Sequence, residues 1–183
     1  MKKIVLTAIM ALGLSTSVSA QKKGDVEFGV NIGYNNSSVS DSFDSSDTGS
    51  GYNIGGSMDY YFSNTWSIKT KLIYDRKGWD NGFIEDEFGS TITDFNLDYL
   101  TVPVMASWHF GNKRNWFLEF GPYVGFLTKA KLEFDIEGLG SGTEDMKDNV
   151  KSTDFGIGVG MNYEFSDVIF ANARYQAGLT EIG

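Results

Sequence analysis

The sequence predicts an all-β protein: an antiparallel, up-and-down transmembrane β-barrel of eight strands, about seven of them within these 183 residues. Three observations carry that prediction. Apolar and polar residues alternate with period two in segment after segment, the mark of strands with two unlike faces. The links between segments are long and short in turn, as in barrels that cross an outer membrane. No stretch after Ala20 is apolar enough for a spanning helix. A chain that enters lipid here must therefore close into a barrel, because only helices and barrels satisfy their own backbone there.

The first element is a leader. Lys2 and Lys3 form a positive start, Ile4 to Leu14 an apolar run, and Val18-Ser19-Ala20 a small-residue cleavage site before Gln21. This is the three-part secretory pattern, and the run falls short of the roughly 20 residues a spanning helix needs. Residues 1–20 are read as a cleaved signal peptide and 21–183 as the barrel domain. Cleavage removes two lysines and takes the formal charge from −9 to −11. So acidic a chain is a poor partner for nucleic acid. With no cysteine present, a lipid-anchored lipoprotein, disulfides and thiolate metal sites are all excluded.

Seven strands follow. Val26, Phe28, Val30, Ile32 and Tyr34 share one face of the first, and Tyr52, Ile54, Gly56, Met58, Tyr60 and Phe62 one face of the second. Trp66, Ile68, Thr70, Leu72 and Tyr74 oppose Ser67, Lys69, Lys71 and Asp75 on the third, where Ile73 interrupts the polar face. The fourth stripe runs from Leu100 to Phe110, and the fifth from Trp116 to Phe126 opposite Glu119, Gly121, Tyr123 and Gly125. In the sixth, Phe155, Ile157, Val159, Met161, Tyr163 and Phe165 alternate with Gly156, Gly158, Gly160, Asn162 and Glu164. The seventh sets Ile169 to Leu179 against Asn172, Arg174, Gln176, Gly178 and Thr180. Each reaches the roughly 9–11 residues that a tilted transmembrane strand requires. Pro103 and Pro122 fall inside strands and predict a local bulge or kink.

The long links are Asn35 to Gly51, Gly78 to Phe95 and Asp135 to Ser152; the short ones are Ser63 to Thr65, Gly111 to Asn115, and Ser166-Asp167. With a periplasmic N-terminus the long links face outside. Trp66, Trp108 and Trp116, with Phe62, Phe110 and Phe165, flank the short turns on the apolar stripe and predict an interfacial aromatic girdle. Tyr34, Tyr52 and Tyr74 mark the other rim. A soluble barrel with an aromatic core is the alternative, and the sorted links argue against it.

If the apolar stripes meet lipid, the other faces line a lumen. That lumen receives Glu27, Asp59, Lys69, Lys71, Asp75, Glu119, Glu164 and Arg174, five acids and three bases. Eight strands leave an interior just wide enough for side chains to fill, where an unpaired charge is costly. A satisfied polar plug is the expectation, and a narrow cation-selective path the alternative. The single histidine, His109, sits at the periplasmic end of the fourth strand with Ser107 two residues away; that is adjacency, not a triad. The acidic links hold Asp41, Asp44, Asp47, Asp80, Glu85, Asp86, Glu87, Glu144, Asp145 and Asp148, in no calcium-loop spacing. Trp79 and Phe83 hint at a contact surface. No catalytic residue, cofactor site or metal site is expected.

Tyr99-Leu100-Thr101-Val102-Pro103-Val104, then Phe120-Gly121-Pro122-Tyr123-Val124-Gly125, the Gly156-x-Gly158-x-Gly160 strand ending Tyr163-Glu164-Phe165, then Arg174-Tyr175 and Gly178-Leu179-Thr180 occur in that order. Together they resemble the PorT-type outer-membrane β-barrel domain family of Bacteroidetes-type bacteria, over nearly the whole chain after the leader. The resemblance implies an eight-stranded barrel without catalytic residues, and its founding member is associated with protein secretion and maturation. It also implies a final strand beyond Gly183. Seven strands would leave two unpaired edges in lipid, so a fragment lacking its last strand is expected.

The reading is an exported, non-enzymatic outer-membrane protein, structural, adhesive or secretion-accessory, acting through its outer loops. Its partners would be outer-membrane lipid and a protein at those loops or in a secretion complex. A solute- or ligand-binding transport barrel is the second reading. A lipid hydrolase using His109 and a secreted lipocalin-like barrel are further rivals.

Overall fold

The computed structural model describes residues 4–15, 22–40, 49–86, 89–136, 140–145, 147, 151–166 and 169–180. The cleavage site, Asp41, Asp44, Asp47, Glu87, Asp148 and the last three residues lie outside them, as do the side chains of Trp79, Asp80, Phe83, Glu85, Asp86 and Glu144. The chain forms nine strands: β1 (Ile4–Ser15), β2 (Val26–Ser40), β3 (Gly49–Tyr61), β4 (Trp66–Asp86), β5 (Gly89–Phe110), β6 (Trp116–Ile136), β7 (Gly140–Asp145), β8 (Thr153–Glu164) and β9 (Ile169–Gly178). Every pairing is antiparallel, and the order β2-β3-β4-β5-β6-β8-β9-β1 returns to β2. Eight strands thus close a ring. β7 lies outside it, paired only along the far end of β6, from Lys131↔Asp145 to Ile136↔Gly140.

The run Ile4 to Leu14, read from sequence as the apolar part of a leader, is strand β1 in the full chain. β1 pairs from Ser15↔Gly29 to Ile4↔Ser40 on β2 and from Leu14↔Ile169 to Leu6↔Ala177 on β9. An extended segment there offers its backbone donors and acceptors to two edges that would otherwise stand open.

The alternation in sequence is the alternation in space. Phe28, Ile32, Ile54, Leu72, Phe155 and Val159 are exposed on the outer surface, Ile32 to 63%. Lys71, Asp75, Glu119, Arg174 and Gln176 are buried inside, Glu119 completely. In water this would be inverted; it fits a molecule whose outer solvent is hydrocarbon. Ile73, the break in the polar stripe, points inward beside Gly55, where an added Cβ would lie 3.0 Å from its side chain. The inward glycines of β8 make room in the same way. A Cβ on Gly156 would come within 2.6 Å of the Tyr123 ring, and one on Gly158 within 2.9 Å of the Met105 methyl.

Two sequence expectations are corrected. The long links are largely strand: β4 runs on to Asp86 and β5 begins at Gly89, paired from Trp79↔Phe95 to Asp86↔Gly89 with an irregularity after Trp79. β2 likewise reaches Ser40, and β6 with β7 forms a further hairpin. Backbone pairing needs no apolar face, so strands continue where both faces are polar and the period-two signal fades. The prolines produce no register shift. The β4–β5 ladder is interrupted beside Pro103, between Thr70↔Val104 and Ile73↔Thr101, and the β5–β6 ladder beside Pro122; both resume in register. Thr70 Oγ1 donates to the Pro103 carbonyl at 3.2 Å. The one shift in β5–β6 lies at Asp98/Tyr99, where Thr128 is the extra residue and its hydroxyl donates to the Asp98 carbonyl at 2.8 Å.

Candidate functional site: the charged lumen and its two rims

Register builds the centre of the lumen. Asp59 of β3 is directly across from Lys69 of β4, and their side chains pair at 3.0 Å. Lys69 also reaches Glu119 on β6 at 3.1 Å, and Lys71 reaches the other Glu119 oxygen at 3.1 Å. Arg174 on β9 approaches Glu119 at 3.6 Å. Between β6 and β9 stands β8, where Gly160 is the register partner of both Glu119 and Arg174. Having no side chain, Gly160 leaves the path between them open. One carboxylate thus holds three cations, an arrangement that keeps each buried charge compensated.

Towards the long-connection rim a second group forms. Lys77 lies 3.6 Å from Asp75 and 3.5 Å from Asp154, with its ammonium 5.3 Å and 5.2 Å from the ring centres of Tyr99 and Tyr123. Asn35 donates to Asp75. Towards the short-turn rim Tyr61 donates to Glu27 at 3.1 Å. His109 lies between the Tyr61 and Phe117 rings, its Nε2 2.9 Å from Ser67 Oγ.

Of the eight residues expected in the lumen, Glu27, Asp59, Lys69, Lys71, Asp75, Glu119 and Arg174 are buried inside it. They fall into the three levels just described. Glu164, the last residue of β8, is half-buried at the short-turn rim near Tyr61, its backbone N–H donating to the Asn115 carbonyl at 2.9 Å. Sequence reading missed Lys77 and Asp154. Both continue stripes already in hand, Lys77 two positions beyond Asp75 and Asp154 two before Gly156, each just outside a stretch assigned to a link. Including them, the lumen holds five described acids and four bases, and Glu27, the fifth acid, has the Tyr61 hydroxyl. The sequence count left a larger acidic surplus.

The six girdle residues stand at the short-turn rim. Trp66 and Trp108 are register partners with stacked rings 6.3 Å apart, and Phe120 meets Trp66 edge-on at 6.3 Å. Phe110 stacks on Trp108 at 4.9 Å. Trp116 contacts Tyr163 at 4.6 Å, and Tyr163 meets Phe165 at 4.9 Å. Phe62 is exposed at the same level. Tyr163 joins this belt unforeseen. At the opposite rim Tyr34 and Tyr52 are register partners, and Tyr74 is opposite Ile54, two residues along β3 from Tyr52.

Among the described residues the chemistry of the interior is that of paired charges. His109 faces Ser67, not Ser107, and its Nδ1 has no hydrogen-bond partner, so no acid orients the ring. Among the described residues no three His, Asp or Glu side chains converge as a metal site would need. Among the described residues, buried polar atoms without a hydrogen-bond partner include Asn31 Oδ1 and Asn35 Oδ1 on β2 and Arg174 Nε and both amide atoms of Gln176 on β9, the strands flanking β1, besides others on β3, β5 and β6.

No curated protein matches the chain. Among solved structures it is similar to Ail, the attachment invasion locus protein of Yersinia pestis, at 14% identity and a TM-score of 0.34 over 97% of both chains. The same protein in complex with the heparin analogue sucrose octasulfate gives 14% identity, a TM-score of 0.35 and the same coverage. Residues 19–182, which take in every strand except β1, match the family described as outer membrane protein beta-barrel domain. With an apolar outer face, an ion-paired lumen and a match across nearly its whole length, the chain belongs to that outer-membrane β-barrel family.

Proposed function

We propose that this is a non-enzymatic, PorT-like outer-membrane barrel whose lumen is a plug and whose work is done at its long-connection rim, facing outside. The role is structural, adhesive or secretion-accessory, and the partner a protein at that rim. One observation carries the reading: β4, β5 and β6 have 21, 22 and 21 residues, about twice what a membrane crossing needs. The surplus is paired backbone projecting beyond the apolar band, a firm platform instead of loose loops. The lumen contributes the other half of the argument. Glu119 with Lys69, Lys71 and Arg174 fills the centre, so a solute would have to break several buried ion pairs to pass. The Tyr99-to-Val104, Phe120-to-Gly125 and Gly156-to-Phe165 motifs support the PorT type. Shortening the hairpin by removing residues 80–92 is expected to abolish retention of protein partners crosslinked to intact cells, with the barrel still heat-modifiable in detergent. Unchanged retention would refute the platform. Single-channel steps from the unaltered protein in planar bilayers would favour the transport reading.

We also propose that the exported form starts at Gln21. The family match begins at residue 19, past β1, and the leader pattern predicts cleavage there. The β2/β9 seam then needs another strand antiparallel to both, which we assign to a segment following β9. Polar side chains on that strand would meet Asn31, Asn35, Arg174 and Gln176. Mass spectrometry of the outer-membrane fraction is expected to find Gln21 at the N-terminus. A folded barrel retaining Met1 to Ala20 would reverse this.

A further inference from the structure

Outside the lumen, cations collect at one place on the outer wall. Arg76, Lys129 and Lys131 stand on the outward faces of β4 and β6, flanking β5, with Arg76↔Asp98, Asp98↔Lys129 and Asn96↔Lys131 as register partners. Lys129 and Lys131 are exposed, and the Arg76 side chain is 38% exposed. Asp98 is enclosed: it accepts from Arg76 Nε at 3.0 Å and from the Tyr74 hydroxyl at 2.6 Å. Arg76 also lies against the Tyr52 ring at 5.5 Å. The guanidinium is therefore held fixed through Nε and one face. Neither its two terminal amino groups nor the Lys129 and Lys131 ammoniums have a partner among the described residues. Asp145, the register partner of Lys131, accepts from the Lys147 backbone N–H at 3.0 Å, and Lys147 is exposed as a further cation.

The depth of this cluster gives it meaning. Trp66 marks the short-turn interface, and Arg76 lies ten residues further along the same strand. At ~3.3 Å per residue and a tilt of ~40°, that is about 25 Å, the height of the apolar band of such barrels. Lys129, reached from Trp116 with one residue taken up by the Thr128 bulge, comes out at about 30 Å by the same reckoning. Tyr74 precedes Arg76 on the same face of β4, and Tyr52, paired with Tyr34, lies beside Arg76. The cations thus begin where hydrocarbon ends, facing sideways into the headgroup layer, in a chain whose net charge is −9.

We propose that Arg76, Lys129 and Lys131 form a binding site for the phosphate of a lipid headgroup in the outer leaflet. The proposal rests on the outward orientation of the long-connection rim. A forked guanidinium with free terminal amino groups and two mobile ammoniums suits a phosphate oxygen set, and the tyrosines beside Arg76 suit acyl chains.

The test uses the full chain refolded in detergent micelles, with diphosphoryl lipid A as the probe and binding read by native mass spectrometry. Two surface lysines near a membrane are together worth about 30-fold in affinity, so Lys129→Gln with Lys131→Gln is expected to weaken lipid A binding by about that factor. Lys129→Arg with Lys131→Arg is expected to keep it, and lipid A stripped of phosphate to bind as weakly as the Gln variant shows. Equal binding by the Gln variant, or by dephosphorylated lipid A, would overturn the proposal. Displacement by inorganic phosphate at the same concentration as lipid A would reassign the site to free anion and overturn the lipid. Heat-modifiability of each variant, measured in parallel, reads the barrel itself and separates loss of fold from loss of the site.

Discussion

At the residue scale, Glu119 decides the interior. It has no exposure and answers Lys69, Lys71 and Arg174 together. Replacing it by Ala leaves three buried cations with only Asp59 between them, a change expected to cost about 3–5 kcal/mol and to lower the urea midpoint of the detergent-folded barrel. A midpoint within error of the parent would mean that water, not Glu119, compensates those cations. Gly160 makes a sharper test, because it acts by absence. Gly160→Leu is expected to part Arg174 from Glu119 and to destabilise comparably, whereas Gly24→Ala, whose Cβ would meet nothing within 4 Å, is expected to cost no more than its left-handed backbone requires. The polar members of this set were legible as charges on the non-apolar parity. Their grouping into three levels was not, because which level a residue joins depends on register between strands. Ser67 as the partner of His109 was hidden for the same reason: a cross-strand neighbour 42 positions away leaves no spacing to read.

At the element scale, the membrane-crossing halves of the strands were legible throughout, since each has one face for lipid and one for the lumen. Their outer halves were not. From Gly78 to Phe95 neither face needs to be apolar, so the sequence resembles a loop while the backbone keeps pairing. The girdle shows the opposite case, in which residue type alone brought together side chains that the structure places at one rim. Trp66 and Trp108 are expected to lie at the phospholipid interface, so their fluorescence should be quenched more by lipids brominated near the headgroup than by lipids brominated at the chain ends. Stronger quenching from chain ends would place the short-turn rim inside the hydrocarbon. The prolines teach a related lesson: each removes one ladder donor and interrupts the pairing beside it, yet neighbouring pairs hold the register, so neither makes a bulge.

At the scale of the whole molecule, closure dominates. Parity of apolar residues marks seven strands, and the need to abolish edges, with the family resemblance, calls for an eighth; the identity of that eighth member could not be read that way. β1 fills the seam in the full chain, running from Ile4 at the long-connection rim towards Ser15. The ring is also cut obliquely. β8 and β9 have 12 and 10 residues, whereas β4, β5 and β6 are about twice as long. Seen from above the membrane, the mouth has a tall parapet on one side and almost none on the other. On the platform proposed above, a visitor arriving from solution would lean on that wall from one compass bearing, and rotation of the barrel about its own axis would become a variable of recognition. Neighbouring copies in a crowded bilayer would turn their parapets independently, unless contact with a shared partner brought them to a common heading.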